Sequence, residues 1–378
     1  MKKFLIVAVF LLIVSCSSTV TNYTPGSTIE PVTEGEIRLW HQSEKAEEAI
    51  RKSGQLLGSD EIDTYLQGIM DELFPEYRGY IRVRALKKPV LNAFAMPNGS
   101  IYINSGLLGV MQNEAQLATV LAHEGVHFLN KHSARQREHF HQAAGWMMAI
   151  SMLGIPLLAE VTFASAVTGY SREHETEADL EGFKRLQRAG YQVSEARKTF
   201  EHLLREVEAE DIKAPFFFSS HPKLQARIRN FNELASKTEN NGGKISQEKF
   251  LNTLMQLRID VLDKKIEKGR YNAVIAILEN DGLARSYGHA RYFYLGEAYR
   301  LRAEESDLEK ALEQYSLYEL SNGDRSVLKP RGITHLKLGN YDLAERDFKQ
   351  YLNVTQDAPD RGFVEQYLRM IDKKKSGE

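Results

Sequence analysis

Two histidines and a glutamate stand in the order His123-Glu124-Gly125-Val126-His127. Positions four apart share one face of a helix, so both imidazoles can aim at a single metal ion. Glu124, next to the first histidine, is placed to take a proton from water at that ion. The chemistry this HExxH spacing allows is metal-assisted hydrolysis, with zinc as the expected ion, one per chain.

A catalytic zinc needs a third protein ligand. His132 lies about 140° round the same helix from His127 and reads as a surface or second-layer histidine. A longer pattern with glycine at 130 and histidine at 133 is excluded by Asn130 and Ser133. A glutamate about twenty residues downstream is missing too, with Trp146 in its place. The better source is SREHETEADLEG, residues 171–182. Wound as a helix, it lines up Glu175, Ala178, Asp179, Gly182 and Leu186 on one small and apolar stripe. A carboxylate facing inward is costly without a cation to meet, and a metal ion supplies one. Glu175 is therefore the expected third ligand. Asp179, one turn along, is expected to orient a ligand histidine through its far nitrogen. Glu173 and Glu177 fall with Lys184 and Arg188 on the other side, as solvated charges.

These groups need elements to hold them. Asn113, with Gln116 three residues on, marks the start of a helix running through AQLATVLAHEGVHFLN. Upstream, LNAFAMPNGSIYINSGLL has two short β-prone stretches about the turn signal Pro97-Asn98-Gly99. The first of these, with Asn92, Ala93, Phe94 and Ala95, is the expected substrate platform, where an extended peptide adds to a sheet edge. Residues 145–169 are apolar and long enough for one membrane crossing. One crossing would part His127 from Glu175, so the stretch reads instead as two short helices broken near Pro156.

The chain opens MKKFLIVAVFLLIVSC, a basic start and an apolar run ending in its sole cysteine. Residues 1–15 read as a signal peptide and Cys16 as a lipidation site; one cysteine excludes intrachain disulfides. Loss of residues 1–15 removes two lysines and no acids, so the net charge of −2 becomes −4. That near-neutral balance argues against a nucleic-acid partner. Residues 16–34 are polar and turn-rich, as a flexible tether would be. A metallopeptidase domain over 35–235 is followed by a polar linker at 236–244, helical repeats over 245–372 and a tail at 373–378. In the repeats, Ala311 and Tyr315 recur 33 residues later as Ala344 and Phe348, near the period of about 34 that marks tetratricopeptide arrays. Gly269-Arg270-Tyr271 matches Gly339-Asn340-Tyr341 as an earlier unit. Stacked helix pairs of this kind carry no chemistry and offer a concave binding surface. The expected fold is mainly α (α+β): a helical metallopeptidase domain with a small β-sheet, then an α-solenoid.

HEGVH at 123–127, ETEAD at 175–179, the strand pair NAFAMPNGSIYINSGLL and a later SSHP together resemble the HtpX/CAAX-prenyl-protease family of zinc metallopeptidases. The lipidated, repeat-bearing form resembles its periplasmic, BepA-like branch. The likeness covers about 60–235 and, more loosely, 245–372. It implies zinc held by His123, His127 and Glu175, with Glu124 as the base. It also implies roles for His221 and Arg227, as oxyanion donors or as occupants of the metal's open position. The implied function is a periplasmic zinc endopeptidase, lipid-anchored to the outer membrane. Its substrates would be unfolded or misassembled envelope proteins, with the repeats docking substrate or outer-membrane assembly machinery. The alternative is a repeat-based chaperone or assembly factor whose peptidase activity is vestigial or self-inhibited.

Overall fold

The computed structural model describes residues 20–139, 170–210, 224–238, 242–355 and 357–376. Cys16, the expected signal peptide at 1–15, the apolar stretch at 145–169 and His221 lie outside the described residues. The fold is mainly helical with one small sheet, as the sequence predicts.

Helix α1 (Glu34–Lys52) starts at a capping box between Thr33 and Glu36, and α2 (Asp60–Leu73) is capped by Ser59. Three strands follow: β1 (Arg82–Leu86), β2 (Ala93–Ala95) and β3 (Ser100–Asn104), in the order β1-β3-β2. The expected hairpin is β2–β3, antiparallel, with Ala93 opposite Ile103 and Ala95 opposite Ile101. Strand β1 was not anticipated. Its RVRAL alternates exposed and buried over only four residues, and it is held by parallel pairing with β3, Arg82 opposite Ser100, a long-range match that a local pattern does not show.

After the short α3 (Ser105–Gly109) comes α4 (Glu114–Leu129), every residue of which is buried. A helix apolar nearly all round must be enclosed on all sides. It packs against α2, β2 and four later helices, described below. Asn113 caps it by accepting from the Gln116 N–H at 3.0 Å. The Gln116 side chain does not close the box: it accepts from the Gln112 N–H at 2.9 Å. Among the described residues there follow α5 (His132–His139), α6 (Arg172–Arg188) and α7 (Glu195–Glu210), with α8 (Leu224–Ser236) packed on α7.

Two expectations about connectors change. The supposed flexible tether is docked from its described part onward. The Tyr23 N–H donates to the Leu129 carbonyl at 2.8 Å, and Tyr23 and Ile29 are buried. Burial of these two large apolar side chains, with the main-chain bond, offsets part of the ordering cost of the segment. The supposed linker also ends in fixed backbone, because Lys244 bridges to Tyr191, and the Glu114 N–H donates to the Ile245 carbonyl at 3.0 Å. The next helix, α9 (Gln247–Glu267), therefore lies against α3, with Val261 touching Gly109. Its Lys265 forms a buried ion pair with Glu206 of α7.

Beyond it lie α10 (Tyr271–Leu278), α11 (Asp281–Arg285), α12 (Ala290–Arg302), α13 (Asp307–Asn322), α14 (Leu328–Lys337), α15 (Tyr341–Val354) and α16 (Arg361–Ser376). The pairs α12/α13 and α14/α15 repeat one contact. A Cβ on Gly296 would come within 2.7 Å of the Tyr315 ring, and one on Gly332 within 2.8 Å of the Phe348 ring. The turns at Gly269 and Gly339 match as well, both with positive φ (70° and 76°). The apolar core runs without a break from the sheet into the first pair, reaching Tyr315 and Val327.

These contacts give opposite expectations for two helical glycines. Gly332→Ala drives a methyl into the Phe348 ring and should cost about 1–3 kcal/mol by overpacking, more than the helix propensity it gains. Gly68→Ala in α2 meets nothing within 4 Å and should stabilise by about 0.5–1 kcal/mol. Urea unfolding midpoints of the two variants decide both.

Candidate metal centre

The centre forms where α6 crosses α4. Gly182 makes the approach close: a Cβ there would lie 3.4 Å from the His123 backbone nitrogen. The N-terminal end of α4 is fixed from another side, where Glu195 of α7 accepts from Asn113 Nδ2 at 2.8 Å and from Gln116 Nε2 at 2.9 Å.

On the facing sides of the two helices, His123 Nε2 and His127 Nε2 lie 2.8 Å apart. Glu175 Oε2 is 3.6 Å from the first and Glu175 Oε1 is 3.4 Å from the second. All three residues are buried, and their ligand atoms lie within 4.8 Å of one another. Glu124 is fully buried beside them. The helical phase read for 171–182 therefore holds for Glu175, Ala178, Asp179, Gly182 and Leu186, all buried. Two imidazoles and a carboxylate converging out of water are a donor set that suits zinc, with a position left for substrate or solvent. The far nitrogens fit as well, since ligand histidines hold their other ring nitrogen on a partner. His123 Nδ1 lies 3.0 Å from Asp179 Oδ1, where the sequence places it.

Arg227, which the resemblance also singles out, lies on α8. It is buried, and its Nε donates to both oxygens of Asp179 at 3.1 and 3.0 Å. Its Nη1 reaches Glu175 Oε2 at 3.4 Å, and its guanidinium lies 4.1 Å over the Phe200 ring of α7. Burial pulls this guanidinium down, but the carboxylates of Asp179, Glu175 and Glu124 more than offset it and hold it above its ordinary value. These contacts make Arg227 a clamp behind the carboxylates, and its Nη2 also lies 2.9 Å from His123 Nδ1.

A second layer lies behind His127, and of it the sequence reading had only His132, as a surface or second-layer histidine. Helix α4 ends at Leu129, and Lys131 takes a left-handed backbone (φ 48°) before α5 begins at His132. Such a conformation costs a residue with a Cβ about 1 kcal/mol or more. Lys131 is held in it by an ion pair to Glu36 at 2.7 Å and by the Tyr23 ring, 4.1 Å from its ammonium. This break cancels the helical phase that set His132 about 140° away. His132 Nδ1 instead lies 2.8 Å from His127 Nδ1. Burial first, then the neighbouring His127 and His174, push His132 far below the ordinary histidine range. Glu177 is not a free outer charge either: it accepts from Asn130 Nδ2 at 2.7 Å and contacts His132 Nε2 at 3.2 Å. Glu173 and Lys184 do face solvent. Tyr170 stacks on the His127 ring, centroids 3.8 Å apart. No local pattern announced Tyr170, because nothing in sequence ties residue 170 to 127.

The stretch expected to serve as a platform is a strand, β2. Asn92, Ala93 and Ala95 are buried, Phe94 stacks on Tyr102 at 5.5 Å, and β2 is an edge strand among the described residues. The Met96 N–H donates to Ser100 and the Asn104 N–H to Asn92, at 2.8 and 2.9 Å. Antiparallel alternation then turns the main-chain groups of Ala93 and Ala95 toward the open edge. Beside it is an apolar recess walled by Leu39, Trp40, Met96, Pro97 and Phe128, with His127 also on its wall.

A buried HExxH helix answered by a carboxylate from a later helix defines a metallopeptidase. The particular family comes from comparison: residues 59–235 match the model of Peptidase family M48. Among curated proteins, the chain is 30% identical over 155 residues to the mitochondrial metalloendopeptidase OMA1 of Schizosaccharomyces pombe, covering 40% of this chain and 45% of that one. It is 29% identical to the beta-barrel assembly-enhancing protease of Escherichia coli over 151 residues, 36% of this chain and 31% of the relative. The corresponding protease of Yersinia pestis is 27% identical over 233 residues, 55% and 46% of the two chains. The chain thus spans less than half the length of these relatives. Among the described residues, no helix is long and apolar enough to cross a membrane.

Replacing Arg227 by methionine should leave Asp179 and Glu175 facing one another without their cation. Breaking a buried pair from one side costs about 3–5 kcal/mol, readable as a lowered urea midpoint of the metal-free protein.

Proposed function

We propose that the protein is a zinc-dependent endopeptidase of the bacterial cell envelope, cleaving misfolded or misassembled envelope proteins. The observation that carries this reading is the buried meeting of His123, His127 and Glu175, with Glu124 beside them. The three would hold zinc, and Asp179 and Arg227 would fix their orientation. When bound, zinc supplies Lewis acidity, polarising a peptide carbonyl and acidifying water at neutral pH. Glu124 takes the proton of the attacking water and delivers it to the leaving amine as the C–N bond breaks. Substrate would lie as an extended strand along Ala93 and Ala95, seating an apolar side chain in the recess of Leu39, Trp40 and Phe128. Recognition through main-chain bonds tolerates varied sequences, which suits unfolded chains as substrates.

The helix pairs from α12 onward, read as tetratricopeptide repeats, would dock substrate or an outer-membrane assembly machine. The names of the Escherichia coli and Yersinia pestis relatives favour that setting. Lipidation at Cys16 would tether the protein to the periplasmic face of the outer membrane. His221 is proposed as a group near the metal's open position, on the strength of the SSHP resemblance.

Metal analysis should find one zinc per chain, lost in His127→Ala. Glu124→Gln should keep the zinc and lose cleavage of an unfolded outer-membrane protein by a factor of about 100 or more. Full rescue of a deletion strain by Glu124→Gln would sink the peptidase role in favour of a chaperone.

A further inference from the structure

Behind the metal-facing side of His127, a second imidazole and a carboxylate stand in line. His127 Nδ1 meets His132 Nδ1 at 2.8 Å, and His132 Nε2 meets Glu177 Oε2 at 3.2 Å. His132 has no exposed surface, and its ring is stacked on His174 with centroids 4.4 Å apart and planes 15° from parallel. Glu177 is fixed in turn by Asn130 Nδ2 at 2.7 Å and by Arg135 Nη1 at 3.4 Å. Ring positions are thus set by packing, and the remaining freedom is where the protons sit.

That freedom has one solution. To offer a lone pair at Nε2, where His123 and Glu175 converge, neutral His127 must carry its proton on Nδ1. A donor N–H at 2.8 Å from another ring nitrogen needs that nitrogen bare, so His132 carries its proton on Nε2. There it faces an acceptor-only carboxylate. We infer that Glu177 and His132 form a two-step relay of positioning residues that sets the tautomer and aim of His127 toward the metal. Metal-site histidines commonly have a carboxylate or carbonyl at the far nitrogen. His123 has that direct form in Asp179, whereas His127 reaches its carboxylate through an intervening imidazole. The break at Lys131 makes this possible, because a continuous helix would carry His132 away from His127.

The inference rests on the zinc reading, and the test separates the two. Zinc affinity of the full chain is measured by competition with a chelator for the wild type and for His127→Ala, His132→Leu, His132→Asn and Glu177→Gln. Leucine removes the acceptor and should weaken zinc about 10–100-fold. Asparagine places an amide oxygen near the Nδ1 position and should recover most of that loss. Glu177→Gln lets the amide donate to His132, reversing the relay, and should weaken zinc about tenfold without touching a buried ring. Nitrogen-15 histidine spectra of the zinc-loaded protein should show the proton on Nδ1 of His127 and on Nε2 of His132. Wild-type affinity in both His132→Leu and Glu177→Gln, equal losses in the leucine and asparagine variants, or the opposite tautomers would each overturn the relay. If the leucine variant does not fold, Glu177→Gln and the spectra decide it. Zinc retained by His127→Ala would instead sink the metal reading itself.

Discussion

Two carboxylates buried on α6 against two imidazoles on α4 are the constraint around which the rest is arranged. Charges taken out of water must be met by opposite charge or by hydrogen bonds, or the fold loses several kcal/mol for each. Asp179 is met by Arg227 and His123. Glu175 is met by the same arginine and by both imidazoles. The close crossing at Gly182 brings the helices near enough for those contacts. Arg227 comes from a third helix and rests on Phe200 of a fourth. The site is thus a place where four helices must agree, and its precision derives from their packing.

The same packing reaches beyond the centre. Helix α7 supplies Phe200 under Arg227, Glu195 at the start of α4, and Glu206 to Lys265 of α9. One rigid rod thereby touches the metal-facing helices at one end and the first helix of the following array at the other. With the core continuous into Tyr315, the array is built onto the peptidase fold. An array attached in this way keeps a fixed orientation to the cleft, which a flexible linker would not give.

Much of the centre was legible because helical periodicity is a strong local signal. It named His123 and His127 as one face and separated Glu175 and Asp179 from Glu173, while β-prone stretches about the turn signal Pro97-Asn98-Gly99 located the strand pair. It failed at Glu177 and at the position of His132, and both failures come from the break after Leu129 and the contacts made across it. His132 was placed by extending a helix that stops at Leu129. Glu177 was assigned to solvent because its partners, Asn130, His132 and Arg135, come from another part of the chain. Arg227 was given a task by resemblance, while its contacts are set by the burial of Asp179.

What the sequence by itself determined was which side chains share a face: period and capping residues are written in neighbouring positions, so the HExxH ligands, the inward stripe of α6 and the β-hairpin needed no tertiary knowledge. What only the tertiary structure decided was which faces meet. The parallel pairing of β1 with β3, the docking of the segment around Tyr23, the turn at Lys131 and the chain of contacts from Glu177 through His132 to His127 all join residues distant in sequence or across a break in a helix. Their stability comes from burial and from the satisfaction of buried charge, quantities that belong to the packed chain and have no local signature.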